Sequence, residues 1–231
     1  MLPTVILPGY LEGAIAYSQL EQSLQQMGFP TVTVPLRRRD WLPTLGGRPV
    51  TPILLQLNLT VKQVLQQYNA TEINLIGHSA GGWISRIYLG EKPYLGRNVV
   101  LSAGPWEAHR FVATLVTLGT PHVSQERWTR WNLDFVNNNY PGAFYPNVRY
   151  VCVAGKSIFG QRRRGSWLAY SSYQLTCGQG NCWGDGITPI AAAHLAGAEN
   201  IVIEDVKHSP KAAGIWYGSP QVLPSWVSYL T

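Results

Sequence analysis

Charge is scarce in this chain of 231 residues: 13% are charged and 45% hydrophobic. That balance excludes a disordered chain and leaves enough apolar material for a sizeable core. Acids are scarcer than bases, 12 Asp+Glu against 18 Lys+Arg, and the net charge is +6. Such a surplus suits an anionic partner, but no nucleic-acid module is visible, so nucleic acid is not expected. No apolar run approaches the roughly 18 residues of a membrane-spanning helix. The stretch Met1 to Leu7 lacks the basic start and cleavage region of a signal peptide. A cytoplasmic chain, at most peripheral to a membrane, or the mature form of a processed one, is therefore expected. Cysteines number three, too few and too odd for a disulfide framework. Cys177 and Cys182 bracket four residues and could close a small loop, but would stay thiols in a reducing cytosol. No histidine stands at metal-finger spacing from them, so neither metal nor cofactor is expected.

What the chain does have is β-rich apolar runs alternating with amphipathic stretches. Six strands are expected at about 4–7, 31–34, 73–76, 112–117, 148–153 and 200–205. Helices are expected over about 15–27, 52–68 and 80–89, within 124–139, and from Ser219 or Pro220 to Leu230. The basic stretch from Arg37 to Trp41 reads as a loop, and the glycine-rich 155–186 shows no clear period. Near-continuous Val/Ile/Leu runs predict a mostly parallel sheet buried on both faces. With no repeat or linker, residues 1–231 read as one α/β domain, its site at the C-terminal strand ends.

The most informative stretch is Gly77-His78-Ser79-Ala80-Gly81, between an apolar run and a helical pattern. It matches G-x-S-x-G, in which a serine stands on a strained strand-to-helix turn. Side chains at 77 and 81 would collide there, which accounts for both glycines. The helix N-terminus behind Ser79 favours negative charge at the turn.

A serine nucleophile needs a base, and the base an orienting acid. Of five histidines, His208 lies just past the last strand, where a base belongs. His122 is its rival, but precedes the acid candidate. Asp185, between Gly184 and Gly186, is the candidate acid; Asp134, Glu204 and Asp205 are alternatives, and an ordinary Asp-Gly turn is the plain reading. Backbone N–H groups of Tyr10, after the first strand, and Ala80, after the nucleophile, are the candidate oxyanion donors. His78, His122 and Trp83 are candidates to line the pocket.

Together these residues resemble the α/β-hydrolase superfamily, and more closely its lipase-like members. The resemblance rests on Leu7-Pro8-Gly9-Tyr10, the Gly77–Gly82 turn, Leu118-Gly119-Thr120-Pro121-His122, Gly184-Asp185-Gly186-Ile187-Thr188-Pro189 and His208. The Gly-Thr-Pro-His segment looks like that of class 2 lipases and the GPI inositol-deacylase group. The tail around Ile215-Trp216-Tyr217-Gly218 looks like lipase-like hydrolases of cyanobacteria and plastids. The resemblance implies the α/β-hydrolase fold, cut to about six strands without a large cap. A lid would have to come from 90–110, 124–145 or 155–183. It also implies a serine esterase or lipase acting on a small-molecule or lipid ester through an acyl-enzyme. An acyltransferase with the same triad and a non-catalytic binding protein are the alternatives. The arginine runs at 37–39 and 162–164 suit peripheral contact with an anionic membrane surface.

Overall fold

The computed structural model describes residues 1–94 and 104–231. Six strands are β1 (Thr4–Leu7), β2 (Thr31–Thr33), β3 (Ile73–His78), β4 (Val112–Leu118), β5 (Arg149–Lys156) and, last in the chain, β8 (Glu199–Glu204). They form one sheet in the order β2-β1-β3-β4-β5-β8. Every neighbouring pair is parallel. Parallel neighbours need crossovers, and the helices supply them: α1 (Ser18–Gln26), α2 (Thr51–Gln67), α3 (Ala80–Leu89) and α4 (Arg127–Asn139).

Strand side chains alternate between two cores. Val5 and Leu7 of β1 and Tyr150 and Cys152 of β5 join one cluster with α2 and α3. Ile6, Val151 and Val153 join the other, closed by α1 and by Trp216, Tyr217, Leu223 and Trp226. Each fully buried Leu or Ile contributes about 1.5–3 kcal/mol, so both layers are needed. β3 is buried throughout. Its Asn74 is tied off by the far end of the chain: Asn74 Nδ2 donates to the Thr231 carbonyl at 3.0 Å. The edge strand β8 departs from the expectation of strands buried on both faces. From Asn200 onward it alternates exposed and half-buried positions, and among the described residues no strand pairs with its outer side.

Three local expectations needed correction. Arg38–Thr44 is a 3-10 helix, not a loop; the Asp40 carboxylate accepts the Arg37 N–H at 2.7 Å and starts it. The expected closing helix is two short 3-10 turns, Leu223–Ser225 and Val227–Tyr229. The non-helical Trp226, at φ −140°, stands between them and keeps them from joining. The stretch 155–186 contains β6 (Ile158–Phe159), α5 (Trp167–Cys177) and β7 (Trp183–Gly184), with β6 and β7 paired antiparallel. After it come the short α6 (Ile190–Ala193) and β8. Helix α5 had no legible period because apolar residues surround it; Gly178, at φ 79°, ends it. Cys177 and Cys182, flanking that end, are free thiols. The 90–110 segment, named as a lid source, falls outside the described residues over 95–103.

Candidate active site

The turn between β3 and α3 holds Ser79 at φ 51°, ψ −122°. A non-glycine residue pays for such backbone with about 1–3 kcal/mol of strain. The glycines around it are needed, but not for the expected reason. A methyl at Gly77 would sit 2.5 Å from the Gly82 Cα, while one at Gly81 would strike the Leu7 carbonyl oxygen. So Gly77 lets the helix cross close behind the strand, and Gly81 lets the end of β1 pass.

Three loops at strand ends converge on Ser79. His208, past β8, places Nε2 3.0 Å from Ser79 Oγ. Its Nδ1 lies 2.7 Å from Asp185 Oδ2. With the Nδ1 proton donated to the carboxylate, Nε2 is free to accept from the serine hydroxyl. Asp185 is buried, and burial opposes its charge. Its pKa nevertheless lies below the usual carboxylate value, because His208, the Tyr217 hydroxyl and the Thr188 N–H all favour the anion. Asp185 Oδ1 accepts the Ile187 N–H at 2.9 Å and the Thr188 N–H at 2.7 Å. Tyr217 donates to Oδ2 at 2.6 Å and accepts the Gly155 N–H at 2.8 Å. The Asp-Gly turn also places the carboxylate: the turn's own N–H groups occupy one oxygen of Asp185 and aim the other at His208.

Ser79, Tyr10, Ala80 and Trp83 open on a cleft of about 460 Å³. Among the described residues, no protein acceptor engages the backbone N–H of Tyr10 or of Ala80. Both are available to an oxyanion, with the α3 N-terminus behind them. Trp83 lines the cleft, but His78 and His122, expected beside it, do not. His122 is buried under the sheet end, 3.4 Å from Arg86 and 3.3 Å from Thr117 Oγ1. Burial, then Arg86 and His194, push its pKa far down, so it stays neutral. Asp134 lies in an exposed contact with Arg130 and Glu204 in one with Lys156, away from His208.

A family model described as the PGAP1-like alpha/beta domain matches residues 45–140. Over 71 residues the chain is 41% identical to a triacylglycerol lipase of Pseudarthrobacter phenanthrenivorans, covering 31% of this chain and 17% of that protein. The same identity and length hold for a triacylglycerol lipase of Burkholderia plantarii, of which 15% is covered. The match thus spans only about a sixth of these relatives. In fold, phospholipase PlaB of Legionella pneumophila aligns with a TM-score of 0.54 at 14% identity, over 84% of this chain and 46% of that one. A Listeria innocua gene product aligns at 0.51 and 14%, over 97% and 92%. The chain has the α/β-hydrolase fold, and the relatives it matches in sequence are named as lipases.

Within this α/β-hydrolase fold, two residues tied to Asp185 and His78 were given no role by the sequence, although Tyr217 stands in the tail that carries part of the resemblance. Tyr217 and Tyr17 reach the site through hydroxyls, 32 and 61 positions from their side-chain partners. Tyr17 accepts the Gly9 N–H at 2.8 Å, so its own proton goes to His78 Nδ1 at 2.7 Å. His78 Nε2 then donates to the His208 carbonyl at 2.9 Å. Burial, with His208 beside it, pushes the His78 pKa down to about 3, keeping it the neutral relay this chain requires. The Gly9 loop, the turn at Ser79 and the His208 loop are thereby tied into one unit. Tyr17→Phe is expected to lower kcat about tenfold with little change in KM, and to lower Tm by a few degrees, because the Gly9 N–H loses a partner worth about 1–3 kcal/mol. An unchanged kcat would show that the tie does not position His208.

Proposed function

We propose that this chain hydrolyses carboxylic esters of uncharged, apolar acids through an acyl-enzyme, with Ser79 as nucleophile, His208 as base and Asp185 as orienting acid. The observation that carries this reading is the continuous hydrogen-bonded line from Asp185 through His208 to Ser79 at the cleft. Its resemblance to proteins named as triacylglycerol lipases supports the ester class. In the first step His208 takes the Ser79 proton as Oγ attacks the carbonyl carbon. The oxyanion rests on the Tyr10 and Ala80 N–H groups. His208 returns the proton to the departing alcohol, and a water molecule, activated the same way, releases the acid.

The preference for an apolar acyl group follows from the cleft wall. Four of its hydroxyls are already committed to carbonyls of the chain: Thr44 to Trp41 at 2.7 Å, Ser172 to Ile187 at 2.6 Å, Thr176 to Ser172 at 2.8 Å, Thr188 to Gly119 at 2.9 Å. Val50, Trp83 and Leu133 supply the apolar surface, and Glu126 is the one charged side chain among the described lining residues. A negatively charged acyl group would meet that carboxylate with no cation opposite. A fluorophosphonate probe should label the wild type and leave Ser79→Ala unlabelled. A series of p-nitrophenyl esters should show kcat/KM rising with acyl length until the cleft is filled. Equal labelling of both proteins would remove Ser79 from the nucleophile role, and a preference for acetate over longer chains would overturn the acyl assignment.

The chain reads as one catalytic domain, with no metal or cofactor in the chemistry. No helix of the described residues is long and apolar enough to cross a membrane.

A further inference from the structure

Helix α5 turns large apolar side chains to solvent beside the cleft mouth. Trp167 is 56% exposed, Leu168 75% and Leu175 55%. Leu168 and Leu175 stand seven residues apart and so share one stripe of the helix. Rotating about the axis from that stripe brings Ser172 and Thr176, which line the cleft. Beyond these come Ala169 and Tyr173, which are buried. The two leucines therefore form the outer rim of the opening. Ile187 extends the rim: it lines the cleft, is half exposed, and is joined to α5 through Ser172.

Positive charge adjoins this apolar rim. Arg162, Arg163 and Arg164 directly precede the helix and are all exposed. The Arg162 guanidinium lies 4.9 Å over the ring of Tyr170 on α5 itself. No ion pair among the described residues uses any of the three. A tryptophan and leucines flanked by unpaired arginines match an interface whose outer layer is anionic and whose interior is apolar.

We infer that α5 docks the chain on an anionic lipid surface, with Leu168, Leu175 and Trp167 inserted and the three arginines at the headgroups. Docked so, the cleft mouth would face the lipid. That the lipid also supplies the substrate rests on the ester-hydrolase reading; the docking itself does not, and is measured with the Ser79→Ala protein.

The experiment is flotation with two sets of vesicles, one of phosphatidylcholine alone and one with roughly one-third phosphatidylglycerol. The Ser79→Ala protein should float with the anionic vesicles, and far less in high salt, where the charge attraction is screened. Adding Leu168→Ser and Leu175→Ser should weaken binding at least about tenfold, since affinity follows buried apolar area. Adding Arg162→Gln, Arg163→Gln and Arg164→Gln instead should abolish the preference for anionic vesicles. In an otherwise wild-type chain, the two leucine substitutions should leave hydrolysis of a soluble short-chain ester unchanged. Absence of flotation, or equal flotation with and without the leucines, would overturn the docking. So would a dimer in sedimentation velocity that the leucine substitutions dissolve, since a second copy would then cover the face.

Discussion

Ser79→Ala is expected to lower kcat for ester hydrolysis on the order of 10⁶-fold, with KM little changed. The size of the loss follows from what the serine alone supplies. In the proposed mechanism no acyl-enzyme forms without Oγ, and His208 and Asp185 would have no nucleophile to activate. What would remain is the cleft and the two N–H donors, which still orient an ester and its oxyanion for attack by water. The same position also carries a stability prediction. Alanine keeps the Cβ that makes φ 51° unfavourable, so Ser79→Ala should leave Tm nearly unchanged. Ser79→Gly removes both the hydroxyl and the strain, and should lose the same activity while gaining about 1 kcal/mol, or a few degrees in Tm. A Ser79→Ala protein retaining a tenth of wild-type kcat would remove Ser79 from the chemistry. Equal melting of the alanine and glycine proteins would show that the turn stores no strain.

The parts of the site that could be read from sequence share a physical property: their geometry is set by neighbours in the chain. The elbow was legible because strand, turn and helix follow one another within residues 73–89. Asp185 was legible because its turn is built from its own next three residues. The sheet was legible because parallel strands buried on both faces must be apolar runs. It failed to predict β8 in detail, since an edge strand need not be apolar. Tyr17 and Tyr217 were not legible because a single hydroxyl placed across the fold leaves no local pattern. Helix α5 was missed for a related reason: a helix apolar on its solvent side has no amphipathic period to detect. His122 was misplaced because a histidine after a strand is as readily turned beneath the sheet, onto Thr117 and Cys152, as into the cleft above it.

Asp185→Asn should cost about 10⁴-fold in kcat while leaving the fold in place. The loop fixes which amide atom goes where. The Asp185 Oδ1 site accepts two backbone N–H groups, so the asparagine carbonyl must take it. The amide nitrogen then occupies the Oδ2 site, facing His208 Nδ1 and the Tyr217 hydroxyl. A donor there binds His208 Nδ1 only when that nitrogen is bare, which moves the ring proton to Nε2. Nε2 can then no longer accept from Ser79, and the base is lost by tautomer rather than by distance. Tyr217→Phe removes one hydrogen bond to the carboxylate but leaves the charge and the tautomer intact, so its loss should be far smaller. The two variants also separate in acid. The Asp185 pKa is depressed in the folded chain, so its carboxylate contributes stability that is complete above the unfolded value of about 3.9 and is lost as pH falls through the lower folded value. That acid-sensitive component should disappear in Asp185→Asn and shrink in Tyr217→Phe, read as the change in Tm between pH 7 and pH 3. If Asp185→Asn keeps more than a tenth of wild-type kcat, the His208 tautomer is set elsewhere, and the carboxylate serves the turn alone.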